Sequence, residues 1–318
     1  MEVNDIKKIA VIGAGLIGNS WTANFIWKGY PVNLWLFTEE EEDIAKQEIR
    51  EHLESLALNG VFGKEKIPEM MNLINYTTSL ETAVKDAQFI QESVTENLET
   101  KQSLLADIDK HAKPDAIFAS STSNLLISEI AKFSQHSKRC ISAHPYNPPH
   151  LIPLVEITIP EGERGSIETA ELASNFYKLI NKVPIILKKD VSGFIGNQIQ
   201  GAVSTICAEL LTDGVCTAED IDKAMSFGPG LRWATMGPYL VFQLGGGKGG
   251  IKGITLHIRG ESTGEEEMEA LELYADFIQG EVDKEMENRP SEFGNDNESL
   301  RKFRDQLIIK ILKEHKKI

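Results

Sequence analysis

A histidine followed by proline, with a glutamate twelve residues further on, forms the first pair in this chain suited to proton chemistry. His144 and Glu156 both lie in AHPYNPPHLIPLVEI (Ala143–Ile157). Pro145 biases His144 towards extended backbone. If the runs flanking the proline-rich link are neighbouring strands, Glu156 falls beside the imidazole. A carboxylate there fixes the tautomer and stabilises the imidazolium, as a general base near neutral pH requires. The same pair would also serve as a surface histidine and a buried, paired acid. Two more polar elements join it, the run Ser120-Ser121-Thr122-Ser123 and Asn197 in SGFIGNQ. Ser123 and Asn197 carry donors for an alcohol oxygen on which negative charge develops. The alternatives are a helix N-cap for the Ser/Thr run and an interdomain structural hydrogen bond for Asn197.

Phosphate chemistry is suggested by Gly13, Gly15 and Gly18, a GxGxxG loop that follows the apolar run Lys8–Ile12. Gly13 permits a tight turn, Gly15 a close backbone approach to a pyrophosphate, and Gly18 close helix–strand packing. Leu16 and Ile17 open the helix, whose free N–H groups and positive dipole end suit phosphates. The fingerprint expects an acid about 20 residues on, at the end of the second strand, to bind the adenosine ribose. Leu36 stands there, between Trp35 and Phe37, and the next candidates are Thr38 and Glu39. No arginine is at hand for a 2′-phosphate, and the acidic run Glu39–Asp43 would repel one, which favours NAD over NADP. The same run would serve equally as a solvated helix start.

The elements that must position these residues follow from hydrophobic pattern. Strands are expected at Lys8–Ile12, Pro31–Phe37, 88–93, Ala116–Ser120, 140–145, 154–159 and Val183–Lys188. Helices are expected from Ile17 to about Lys28, from Glu39 to about Leu58, at Leu98–Ile108 and at Ile127–Phe133. Strand, glycine turn, helix, strand is a βαβ unit and implies a mostly parallel sheet, a Rossmann-type dinucleotide-binding domain. After Asp190 strand-like runs become scarce. Helical patterns take over at Ile195–Gly214, Glu219–Met225, part of Glu265–Asn295 and Ser299–Lys313, with Gly245–Gly250 (GGGKGG) read as a flexible loop. The expected division is 1–188, the nucleotide domain, and 189–318, an all-helical domain.

The composition bounds the class. With 318 residues, the chain has room for about two domains. Lys+Arg 33 against Asp+Glu 48 leaves a net charge of −15, which argues against a nucleic-acid or anionic-membrane binder. Cys140, Cys207 and Cys216 form no CxxC pair and no zinc spacing. Together with the absence of a membrane-length apolar stretch or secretory signal, this leads us to expect a cytoplasmic protein without a metal site.

Taken together, GAGLIG, QESVTENLETK (Gln91–Lys101), ASSTSNL (Ala119–Leu125), HPYNPP, LVEI and SGFIGN make the chain resemble the 3-hydroxyacyl-CoA dehydrogenase family over nearly its whole length. Trp21, SSTS, PHLIPLVE and GPGLRWATMGP (Gly228–Pro238) look most like its λ-crystallin branch, which holds L-gulonate 3-dehydrogenase and L-carnitine dehydrogenase. The resemblance implies NAD-dependent oxidation of a 3-hydroxy substrate. His144 would be the base, Glu156 its orienting partner, and Ser123 and Asn197 the donors at the reacting oxygen. Glu96 and Lys101 would line the nicotinamide side of a cleft, with Gly13, Gly15, Leu16, Ile17 and Gly18 on the rest of the cofactor. Ser121 and Asn147 would face substrate. The second domain would make a homodimer. A free acid would need a cation, and Arg232 is the candidate, with Trp233, Tyr239 and Phe242 as aromatic faces for a trimethylammonium group. An acyl-CoA would need bases such as Lys64 and Lys66. Leu36 and the unfamiliar segment TLHIRGESTGEEE depart from the family pattern. A crystallin-like structural protein and an NAD-sensing protein are the non-catalytic alternatives.

Overall fold

The computed structural model describes residues 1–260 and 264–318. It divides into two compact units, Met1–Ala202 and Val203–Ile318. The strands of the first unit are β1 (Ile9–Ile12), β2 (Val32–Trp35), β3 (Ile74–Thr77), β4 (Phe89–Glu92), β5 (Ile117–Ser120), β6 (Cys140–Pro145), β7 (Leu154–Thr158) and β8 (Val183–Ile186). Its helices are α1 (Leu16–Trp27), α2 (Glu41–Leu58), α3 (Ile67–Met71), α4 (Leu80–Val84), α5 (Leu98–His111), α6 (Ile127–Ile130), α7 (Ile167–Leu179) and the first turns of α8 (Phe194–Thr212). The sheet has eight strands in the order β3-β2-β1-β4-β5-β6-β7-β8. Every pair is parallel except β6 and β7.

The sequence explains the centre. All four residues of β1 are buried. Ile9 and Val11 join the apolar layer that holds Trp21, Phe25, Phe176 and Tyr177, while Ala10 and Ile12 join the layer of Leu105, Ile108 and Phe118. Opposite projection of alternate residues makes one short strand serve both layers, as a sheet covered on both faces demands. Trp21, Phe25, Phe176 and Tyr177 are fully buried, and each such side chain contributes about 1.5–3 kcal/mol of transfer free energy.

The strand β3 and the helices α3, α4 and α7 of this unit were outside the sequence reading. The strand β3 is partly exposed at the sheet edge. The helix α7 buries Ala170, Ala173, Phe176 and Tyr177 on one side and starts on Ser166, whose hydroxyl accepts from Thr169 N. The expectation of a flexible GGGKGG loop is corrected. In the second unit α11 (Pro238–Gly245) leads through a short 3-10 turn into α12 (Gly250–Gly260). A Cβ on Gly246 would lie 1.7 Å from Gly250 O, so the glycines allow a close helix-to-helix turn. Gln243 and Gln279 accept the first amides of α12, from Ile251 and Lys252. The other helices here are the rest of α8, α9 (Ala218–Phe227), α10 (Pro229–Trp233), α13 (Glu265–Asn288) and α14 (Asn297–Glu314). Its core holds Leu240, Ile251, Ile278, Val282 and Leu300. Glu261, Ser262 and Thr263, inside the unfamiliar segment, lie outside the described residues. No described helix is long and apolar enough to cross a membrane.

The link from β6 to β7 is fastened to the first layer. Ser20 on α1 accepts the His150 amide at 2.9 Å and sits 2.9 Å from its Nδ1. His52 on α2 stacks on the His150 ring at a centroid distance of 4.2 Å. Lys182 donates to Pro149 O and, at 3.4 Å, to Ile152 O. Burial, then the charges of His52 and Lys182, push the His150 pKa down to about 4. The pKa of His52 is also lowered by burial, against Glu48 and Glu51. A folded pKa below the unfolded value of about 6.5 means that the unfolded chain takes the proton first. Stability is then intact above about pH 6.5 and falls as the pH drops towards 4. Urea unfolding of the wild type is expected to lose on the order of 2 kcal/mol between pH 7 and pH 4.5 from this site. His150→Leu is expected to flatten that slope, and an unchanged slope would contradict the assignment.

Candidate active site

The strand order β3-β2-β1-β4-β5-β6 places a switch point beside β1, where open α/β sheets bind ligands at the carboxyl ends of their strands. The glycine loop leaves β1 there. Gly13 has φ +105°, and a Cβ on it would fall 2.9 Å from Ser93 O. A Cβ on Gly18 would fall 1.8 Å from Gly13 O, so the helix can approach the loop only as glycine. Gly15 has open space where a Cβ would stand and occupies the cap position of α1. The amides of Leu16, Ile17 and Gly18 therefore face outwards without helical acceptors, a cradle that fits a pyrophosphate.

His144 and Glu156 are register partners across the antiparallel pair β6/β7. His144 Nδ1 lies 2.9 Å from Glu156 Oε2. The other carboxylate oxygen accepts the amides of Ile195 at 2.9 Å and Gly196 at 3.1 Å, at the start of α8. Glu156 is fully buried. An ionised carboxylate only accepts, so Nδ1 carries the proton and Nε2 is left as the acceptor. Phe194, at φ +44°, stacks flat on the imidazole at 4.6 Å. That backbone conformation is uncommon for an aromatic residue and is held by the packing around it.

A cavity of about 290 Å³ gathers Ser121, Ser123, His144, Asn147 and Asn197, together with Ile17, Tyr146 and Gln200. The expected residues on β5, β6, the link and α8 are thus brought together. A larger cavity of about 970 Å³ lies at the other end of the strands, around Asn4, Pro114, Lys138 and Glu168, and contains none of them. Tyr146 was missed by the sequence reading. Its ring stands edge-on to His144, its hydroxyl has no hydrogen-bond partner among the described residues, and burial and the Glu156 charge raise its pKa. It is therefore a neutral donor. Also missed was a buried chain behind the cavity, in which Tyr177 donates to Gln91 at 2.6 Å and Gln91 donates to Ser121 at 3.0 Å.

Glu96 and Lys101 belong to a polar cluster beside the loop that carries Ser123. Neither lines the cavity. Lys101 is only 1% exposed, and its ammonium lies 2.7 Å from Glu92 and 3.6 Å from Glu96. The physical reason is Glu92, a buried carboxylate in β4 that needs a cation. Glu96 accepts the Thr122 hydroxyl at 2.6 Å and the Ser123 and Asn124 amides at 2.9 Å. Burial opposes its ionisation, but these bonds and Lys101 outweigh burial and hold the carboxyl below its usual range. Glu96 thus shapes the loop that carries Ser123. The available signal was Glu92, an acid at the end of the short buried strand Phe89–Glu92. Arg232 and Trp233 lie on α10 of the second unit.

Residues 8–191 match the NAD-binding domain of 3-hydroxyacyl-CoA dehydrogenase, and residues 193–282 match its C-terminal domain. The chain belongs to the 3-hydroxyacyl-CoA dehydrogenase family, and is an NAD-dependent oxidoreductase acting on a CH–OH group. It is 38% identical over 253 residues to an L-carnitine dehydrogenase of Bacillus cereus, covering 79% of this chain and 76% of that one. A 3-hydroxyacyl-CoA dehydrogenase of Gibberella moniliformis is 37% identical over 249 residues, covering 77% and 74%. The crystal structure of a 3-hydroxyacyl-CoA dehydrogenase of Archaeoglobus fulgidus shares the fold, with a TM-score of 0.71 at 23% identity over 98% of this chain and all of that one. These relatives are named dehydrogenases, and the crystallin-like and sensing alternatives draw no support from them.

Removing Lys101 would leave Glu92 as an unpaired buried charge. Lys101→Ala is expected to cost about 3–5 kcal/mol of stability, read by urea unfolding. A loss below about 1 kcal/mol, the range of exposed pairs, would show that Glu92 does not depend on this cation.

Proposed function

We propose that this chain oxidises a short free 3-hydroxy acid to the 3-oxo acid, with His144 as general base. The observation that carries the reading is the Nδ1–Glu156 bond, which turns an unprotonated Nε2 towards a cavity lined by neutral donors. Bound NAD, held by the amides of Leu16, Ile17 and Gly18, would supply the hydride acceptor for C3. His144 takes the hydroxyl proton, and Glu156 stabilises the imidazolium as it forms. Ser123 and Asn197 donate to the oxygen while negative charge develops on it. Ser121 and Asn147 contact the rest of the substrate.

Among the residues lining this cavity none is Lys, Arg, Asp or Glu. The free-acid reading assigns the substrate carboxylate to Arg232, with Trp233 next to it in sequence. The L-carnitine dehydrogenases among the relatives support a free acid. The exposed Ile206, Leu210, Leu211 and Val215 on and just after α8 support a homodimer through the second unit. The three free cysteines, Cys207 and Cys216 partly exposed, suit a cytoplasmic location.

The test is NADH formation from L-carnitine, L-gulonate, L-3-hydroxybutyrate and L-3-hydroxybutyryl-CoA. Turnover of at least one free acid is expected, and His144→Ala is expected to lower kcat roughly 10²–10⁴-fold. Turnover of the CoA ester alone would overturn the free-acid reading. Near-wild-type turnover by His144→Ala would remove the base assignment.

A further inference from the structure

A second cavity opens at the carboxyl ends of the strands, on the far side of the glycine loop from His144. It measures about 540 Å³ and lies at the ends of β2 and β3, where Leu36, Glu39, Glu42, Asp43, Tyr76 and Thr77 line it. A dinucleotide laid across the switch point of such a sheet places its adenosine half beside the second strand. The residue at the carboxyl end of that strand is the usual ribose ligand, and here Leu36, just past Trp35, stands there. Leu36 is 1% exposed and packed in the core layer of Trp21 and Phe25. It offers the ribose no acceptor.

The neighbouring groups can be taken in turn. The Phe37 amide donates to Glu41 at 2.8 Å. Thr38 stands beside Glu40 and lowers its pKa. Glu42 is paired with Lys46, and Asp43 lies 4.0 Å from the same ammonium. Glu39 remains. It lines the cavity and is exposed; its carbonyl accepts the Glu42 amide at 3.1 Å, while its carboxylate has no hydrogen bond or ion pair among the described residues. The Tyr76 hydroxyl on the opposite wall is buried without a partner. The cavity therefore presents one unengaged carboxylate at the place where a ribose diol requires an acceptor.

The geometry points to Glu39 as the carboxylate that binds the adenosine ribose hydroxyls, three residues beyond the usual position. The lining holds three acids, Glu39, Glu42 and Asp43, against Lys46, which is paired with Glu42, and Arg50, which acts on Tyr76, so a 2′-phosphate meets a net like charge. The inference rests on NAD binding by the family and not on the choice of substrate.

The test is titration of the full-length protein, without substrate, with NADH, NADPH and ADP-ribose. Nicotinamide fluorescence reads the first two and calorimetry the third. Glu39→Gln is expected to weaken NADH and ADP-ribose alike, roughly ten- to hundred-fold, the worth of a charge-assisted hydrogen bond. NADPH is expected to weaken less or to improve, so the preference for NADH narrows. The melting temperature of the free variant is expected to stay at the wild-type value, because the Glu39 carboxylate makes no contact to lose. NADH affinity within two-fold of wild type would overturn the proposal. So would a loss seen with NADH but absent with ADP-ribose, which would place the effect away from the adenosine half. A wild type that binds NADH but turns over no 3-hydroxy substrate would count against the proposed reaction and leave this inference standing.

Discussion

The site depends on one buried carboxylate held entirely by hydrogen bonds. Among the described residues no lysine or arginine pairs with Glu156, and its charge is met by the His144 ring and two amides at the start of α8. A buried charge without compensation would cost several kcal/mol, so these donors and the positive end of the helix are what make the ionised form tenable. Three pieces of chain are thereby tied to one atom group: the strand with the histidine, the strand with the acid, and the helix with Asn197. Because the carboxylate can only accept, its presence also decides which imidazole nitrogen is free. Position and protonation are set by the same contact.

A second layer of buried polar groups supports the first. Glu92 holds Lys101 and Ser120, Lys101 neighbours Glu96, and Glu96 gathers the amides that follow Thr122. Tyr177 and Gln91 reach Ser121 from the other apolar layer. Each link satisfies a group that would be expensive to bury alone. An apolar core would be easier to stabilise, but it could not deliver hydroxyls and amides to one 290 Å³ cavity at fixed positions.

Much of this was legible in the sequence because it rests on local pattern. A glycine loop between an apolar run and a helix has one common meaning, and β1 with α1 has that form. His144 and Glu156 could be paired because an odd bend between two strands brings their ends together. Lys101 was not legible as a buried ion: nothing in ENLETK says that its partner sits nine residues back in a strand. The strand β3 is short and half exposed, and so lacks a clear period. The glycines of GGGKGG signal conformational freedom, but whether freedom becomes a loop or a tight helical turn depends on Gln243, just before the run, and on Gln279, far away in sequence. Glu39 was visible as part of an acidic run, and only the fold separates it from acids that are already paired.

Glu156→Gln tests the account most directly. The glutamine carbonyl keeps an acceptor for the α8 amides, while its NH₂ group donates to Nδ1 and reverses the imidazole tautomer. Steady-state NADH formation and the melting temperature would be measured on the same preparation. The account predicts a folded enzyme whose kcat has fallen roughly 10²–10⁴-fold. A folded Glu156→Gln protein with wild-type turnover would contradict it, because the carboxylate would then be holding the chain together without deciding where the proton goes.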